Sequence, residues 1–243
     1  MKKGKFTNST SAKRSGIKLV ALVLVMALLI GGAIGGTLAW LTDTTKSVTN
    51  TFTAADINIT LEESENLNLQ MIPGVTREKD PRVTVKANSE ACWLFIQVTE
   101  STDPKLSDYI VYAVDTTTTV TTVEGVIYGG WSKGNGTDIP ANVYYRQVDK
   151  TNADKVFAIL AGGSYQDPMG TANNTDDDVT VTWTANQVGV KPSVTKTMME
   201  AIDGTGEDKP TLTFTAYASQ LMKNNTDEFS AADAWAIAKP VTP

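Results

Sequence analysis

Apolar side chains recur at every second position in a series of short runs along this chain. Ile57, Ile59 and Leu61 alternate with Asn58 and Thr60, and Val83, Val85 and Ala87 repeat the pattern after Pro81. Cys92, Leu94, Ile96 and Val98 fall on one face of an extended segment while Trp93 and Phe95 fall on the other. A segment apolar on both faces predicts a strand that is internal or covered. Ile110, Tyr112 and Val114 alternate again, the stretch Val143–Val148 is rich in aromatics, and Val179, Val181 and Trp183 are spaced by threonines. Leu212, Phe214 and Ala216 close the series. A period of two is the mark of half-buried strands. With Gly, Asn, Asp and Pro between the runs, the pattern predicts an all-β fold, an antiparallel β-sandwich of jelly-roll-like type.

Two segments depart from that period and predict short helices. Val194, Met198 and Ile202 stand at i, i+4 and i+8 after Pro192-Ser193, with Gly204 as a C-terminal stop. Ser230-Ala-Ala-Asp233 resembles a capping box, in which hydroxyl and carboxylate satisfy the first amides of a helix. That helix is expected to bury Trp235 as a core plug and to end before Pro240. Both helices are expected as lids over open sandwich edges.

The first sixty residues follow a different plan. Lys2, Lys3, Lys5, Lys13, Arg14 and Lys18 form a basic segment, and residues 19–42 carry no charge. A continuous apolar run from Leu19 to Ile30 leads into Gly31-Gly-Ala-Ile-Gly-Gly36 and then Thr37-Leu-Ala39. Basic, apolar and small-residue regions in this order predict a signal peptide over residues 1–39, cut between Ala39 and Trp40 with Thr37 and Ala39 at the recognition positions. The uncharged stretch is also long enough for an N-terminal transmembrane helix kept as an anchor. Either way, residues 40–243 are expected as one extracytoplasmic domain, secreted or held at the cell surface.

Composition narrows the chemistry. The 243 residues are 41% apolar and 20% charged, enough for a buried core and too little charge for a disordered chain. There is no histidine, and Cys92 is the only cysteine. An imidazole base, a Ser-His-Asp triad, a Cys-His dyad and a zinc site of Cys and His ligands are therefore all excluded. No intramolecular disulfide can form, and Cys92 reads as a small buried hydrophobe. Six of the 21 basic residues and none of the 27 acids lie in residues 1–39, so the remainder has 15 bases against 27 acids and a net charge of −12. A surface of that sign repels nucleic acid and anionic lipid, and no nucleic-acid partner is expected. Asn173-Asn-Thr-Asp-Asp-Asp178 offers hard oxygen ligands that suit calcium, but it lacks the alternation, central glycine and distal glutamate of an EF-hand loop. It reads as a solvated acidic loop, with a calcium-stabilised domain as the alternative. Gly129-Gly-Trp-Ser-Lys-Gly-Asn-Gly136 lacks the Gly-Lys-Ser/Thr ending of a phosphate loop and reads as a hairpin connection. No catalytic residue, metal ligand or cofactor is assigned.

Several motifs in order carry a family resemblance. Gly36-Thr-Leu-Ala-Trp-Leu-Thr-Asp43, Asn50-Thr-Phe-Thr53 and Ile57-Asn-Ile-Thr-Leu-Glu62 come first, then Pro73-Gly74, Lys79-Asp-Pro-Arg-Val-Thr-Val85 and Cys92-Trp-Leu-Phe-Ile-Gln-Val98. Val194-Thr-Lys-Thr-Met-Met-Glu-Ala-Ile202, Leu212-Thr-Phe-Thr-Ala-Tyr-Ala218 and Ala231-Ala-Asp-Ala-Trp235 follow. Together they resemble the TasA/camelysin family, whose members are released by a dedicated signal peptidase of the SipW type; residues 116–178 carry no match. The resemblance implies a subunit of an extracellular-matrix or biofilm fibre, in which the N-terminal segment of one copy completes the sheet of its neighbour. Trp40, Leu41, Val48 and Phe52, set among Thr and Ser, are the apolar residues of the candidate donor strand. The same segment could instead form the first strand of its own domain. Some relatives are described as metalloproteases, which the lack of histidine argues against here. The alternative function is a non-assembling surface adhesin that binds through loops in residues 116–178.

Overall fold

The computed structural model describes residues 56–64, 70–170, 175–202 and 209–239, all within one compact unit spanning residues 54–243. The first strands in chain order are β1 (Ile59–Glu62), β2 (Thr76–Glu78), β3 (Arg82–Val85), β4 (Cys92–Glu100), β5 (Ile110–Val111) and β6 (Ala113–Val114). The central part supplies β7 (Thr121–Val123), β8 (Val126–Tyr128), β9 (Ser132–Lys133), β10 (Val143–Val148), β11 (Lys155–Ala158), β12 (Leu160–Ala161) and β13 (Gly163–Asp167). The series ends with β14 (Val179–Trp183), β15 (Gln187–Val190) and β16 (Leu212–Gln220); the helices are α1 (Lys196–Ala201) and α2 (Ala231–Ala238).

These strands form a five-stranded sheet in the order β1-β3-β11-β8-β7 and a four-stranded sheet in the order β16-β4-β10-β9. A three-stranded sheet, β2-β15-β5, and the pairs β12-β6 and β13-β14 complete the all-β fold. Pairing is antiparallel except between β8 and β11, which run parallel with Val156 opposite Val126 and Phe157 opposite Ile127. That pair departs from the wholly antiparallel expectation. Parallel neighbours need a long connection, and here it runs through β9 and β10 in the other sheet.

Alternation places the core. Val83 and Val85 of β3, Phe157 of β11, Leu94, Ile96 and Val98 of β4 and Phe214 of β16 bury their side chains in one cluster, so the two larger sheets share an apolar interior. The strand apolar on both faces, β4, lies between β16 and β10 as expected. Its outward residues Trp93 and Phe95, with Tyr145 and Tyr217, need a second cover. Helix α2 provides it, with Trp235 at 5.3 Å from Phe95 and 5.4 Å from Tyr217 between ring centroids. Edge-to-face and tilted aromatic contacts of this kind add about 0.5–1.5 kcal/mol beyond area burial. Ser230 caps the helix, its hydroxyl accepting from the Asp233 amide at 3.1 Å.

Helix α2 does not act as a lid over a sheet edge. Helix α2 covers the outer face of the four-stranded sheet, because that face is aromatic. Helix α1 is six residues long, capped by Thr195, and is flanked by Val194 and Ile202, which are buried with Tyr109 and Val190. Ser193 does not cap it; its amide and hydroxyl both donate to the buried carboxylate of Asp167. The run Ile110–Val114 is not one strand either: β5 pairs with β15 and β6 with β12, so the chain changes sheets after Val111.

Cys92 is fully buried, and burial pushes its thiol from 9.0 up to about 11. An unfolded chain releases this proton from about pH 9 while the folded chain keeps it, so the folded state binds more protons in that window and stability falls as pH rises. The contribution is about 2 kcal/mol between pH 9 and 11. Urea denaturation of the wild type and of Cys92→Ala across this range is expected to show a shallower decline for the variant.

Candidate functional site

The sheet order leaves two edges on each of the larger sheets, and the two sides of the domain differ. On one side lie β7 and β9, of three and two residues. Short edges are poor templates for another strand. The interior behind them is plugged by Arg146, whose guanidinium carbon lies 4.2 Å from the Phe157 ring centroid and 5.5 Å from that of Trp131. Arg146 also donates to the Gly129 carbonyl at 2.8 Å. Burial lowers its pKa to about 10, with the Asp115 carboxylate pulling the other way. Gly129 has φ of 78°, and a Cβ there would stand 2.4 Å from the Thr119 carbonyl oxygen, so only glycine permits the turn. This corrects the hairpin reading of residues 129–136. The first glycines hand the chain from β8 in one sheet to β9 in the other, and only the later part opens the β9–β10 hairpin.

On the other side lie β1 and β16. Strand β16 has nine residues, Leu-Thr-Phe-Thr-Ala-Tyr-Ala-Ser-Gln, without a charge, a proline or a glycine. It pairs with β4 along its whole length. The flanking bonds, Ser101 amide to Thr211 carbonyl and Leu221 amide to Ala91 carbonyl, show that the odd-numbered residues bond to β4. In an antiparallel ladder the alternate residues then direct their amides and carbonyls outward. Those are Leu212, Phe214, Ala216, Ala218 and Gln220, and none of their backbone groups has a partner among the described residues. By the same reasoning the Lys86 amide bonded to the Asn58 carbonyl leaves the backbone groups of Ile59 and Leu61 of β1 directed away from β3, while their side chains pack against the core.

Between these strands runs a cleft of about 380 Å³. Leu61, Pro81, Leu212 and Phe214 make its apolar wall, and Glu62, Glu63 and Lys79 its charged rim. The Lys79 ammonium is 2.7 Å from Glu63 and 5.6 Å from the Phe214 ring centroid, so this side chain bridges the end of β1 and the start of β16. Beside it Asp80, only 2% exposed, holds the chain leaving β1. It accepts the Ser64 amide at 3.0 Å and the Ser64 hydroxyl, and it pairs with Arg82 at 3.3 Å.

The residues singled out from sequence fare unevenly. Thr37, Ala39, Trp40, Leu41, Val48 and Phe52 lie outside the described residues, as do Gly204, Pro240, Asn173 and Asn174. In the described part of the acidic loop, Asp178 accepts from Gln166 at 2.9 Å. No group of three or more His, Cys, Asp or Glu side chains placed to hold a metal ion occurs among the described residues. Residues 116–178 are not a set of loops: they supply β7 to β13, including β10 and β11 within the two larger sheets. The cleft itself was not foreseen. Its signals are the Lys79-Asp80-Pro81-Arg82 motif and the uncharged run of β16.

Removing the buried carboxylate should unfasten this side. Asp80→Ala is expected to cost about 1.5–3 kcal/mol in urea denaturation, the usual range for hydrogen bonds to a charged group. Hydrogen exchange at the β1 amides is expected to quicken more than at β4. No protein-family model, curated protein or solved structure matches this chain.

Proposed function

We propose that this chain is a secreted or cell-surface structural protein that assembles by strand addition, and that the cleft beside β16 is the acceptor. In this reading the two larger sheets form a sandwich open along the β1/β16 side. Cleavage after Ala39 by a SipW-type signal peptidase frees residues 40–52, which carry Trp40, Leu41, Val48 and Phe52 onto the open side of the next copy. The product is a fibre of the kind that the resemblance to the TasA/camelysin family implies, in an extracellular matrix or biofilm.

One observation carries the proposal: a nine-residue strand that, among the described residues, is a sheet edge with none of the usual protections. Edge strands are commonly blunted by lysine, proline, a bulge or short length. Strand β16 is long and uncharged, and α2 packs on its face without pairing with its edge. Magnitudes say what an incoming strand must do. Backbone bonds contribute about 1 kcal/mol each net, against an association cost of about 4–15 kcal/mol. Pairing alone is therefore marginal, and apolar side chains must also fill the cleft. The Thr/Ser-rich segment with four large apolar residues supplies both.

Protein beginning at Trp40 is expected to form ladders or fibres in sedimentation and electron microscopy, and deletion of residues 40–52 is expected to abolish them. Ala216→Pro removes an outward amide at an edge, where proline is tolerated, and should block growth while leaving the far-ultraviolet circular dichroism unchanged. A protein that starts at Trp40 and stays monomeric, while binding glycans or a host protein, would favour the adhesin instead.

A further inference from the structure

Among the described residues, Lys79 is the cation at the rim of the cleft and Glu62 and Glu63 are its anions. Its side chain is 16% exposed and that of Glu63 32%, so the pair is partly shielded from solvent, while no described residue pairs with Glu62. An apolar side chain packing onto Phe214 between it and Leu61 competes with the Lys79 ammonium, which stands 5.6 Å from the ring centroid. The ammonium then leaves the ring and can change its carboxylate partner. Residues 40–55 contain one side-chain carboxylate, Asp43, and one side-chain ammonium, Lys46, to which cleavage after Ala39 adds the α-ammonium of Trp40.

We infer that Lys79 is the specificity-determining residue of the acceptor cleft: it pairs with Glu63 at the rim in the free subunit, and it selects an incoming strand by exchanging that partner for Asp43 of another copy. This rests on the strand-addition reading above. It adds a rule that the reading lacks, since backbone pairing accepts any extended segment and the apolar wall accepts any Leu, Val or Phe. A carboxylate requirement excludes neutral Thr/Val-rich segments from capping the growing end. Lys46 lies three residues further on, on the opposite side of an extended strand, and brings the opposite charge to a rim that has carboxylate to spare. Charges at the rim of an interface act chiefly through association rate and its dependence on salt.

The test uses protein beginning at Trp40 and follows polymer growth by light scattering at low and at 0.5 M salt, about a threefold change in screening length. Lys79→Glu and Asp43→Lys are each expected to slow growth at low salt by about tenfold, and the double reversal is expected to restore it. Lys79→Gln keeps most of the stem, folds as the parent does by melting temperature, and is expected to slow growth by a smaller factor. At 0.5 M salt the differences should shrink. Parental protein that grows while both reversals grow equally fast, or a double reversal no better than either single, overturns the role of Lys79 and leaves strand addition standing. Parental protein that does not grow under any of these conditions overturns both.

Discussion

Backbone polarity is the constraint on which the remaining features of this fold depend. Every strand has two rows of amides and carbonyls, and a sheet satisfies all of them except at its rims. Here one rim of each large sheet is reduced to three and two residues at β7 and β9 and backed by a stacked arginine. The other rim keeps the nine residues of β16 with their alternate groups directed outward. The asymmetry is built from chemistry on both sides. Gly129 and Gly130 let the chain step between sheets and end the edge early, whereas residues 211–221 run straight beside β4 without a turn signal.

The interior explains why β16 holds its shape although its outer edge has no partner among the described residues. Phe214 contributes to the shared core, and α2 braces the opposite face of the sheet through Trp235 against Phe95 and Tyr217. Strand β16 is thus held by β4 and from both faces, and its shape does not depend on a neighbour at its free edge. An acceptor surface has to be preorganised in this way, because ordering it during association would add to a cost that backbone bonds barely offset. Asp80 extends the same logic to β1: a buried carboxylate tied to Ser64 and Arg82 keeps that strand's end in register with β3.

Much of this was legible in the sequence, and the misses have physical causes. Strands β1, β3, β4, β14 and β16 follow from period-two alternation, β10 from its aromatic content, and the Ser230 cap from its spacing to Asp233. The double-faced apolar run of β4 correctly marked a central strand. What failed was whatever depends on where a strand goes next. Ile110, Tyr112 and Val114 alternate well, yet the chain crosses from one sheet to another among them. The pairing of β8 with β11 is parallel because two strands of the other sheet intervene, which no local pattern records. Both helices lie where the spacing places them, but α2 covers a face and not an edge, since the aromatic outer face of β4 becomes visible as a face needing cover only once Tyr145 and Tyr217 stand beside it. Lys79 and Asp80 were part of a motif, but their meeting with Glu63 and Ser64 is tertiary. The N-terminal residues of interest lie outside the described region.

The central claim is that the outward backbone of β16 is unpaired in the free subunit and paired in the assembled one. Amide hydrogen exchange resolved at Leu212, Phe214, Ala216 and Ala218 measures this directly. The account predicts fast exchange at these positions in the monomer, slow exchange at Thr213, Thr215 and Tyr217 beside them, and protection of the first group on assembly. Equal protection of both groups in the monomer would mean that the edge is already covered within one chain, and would contradict it.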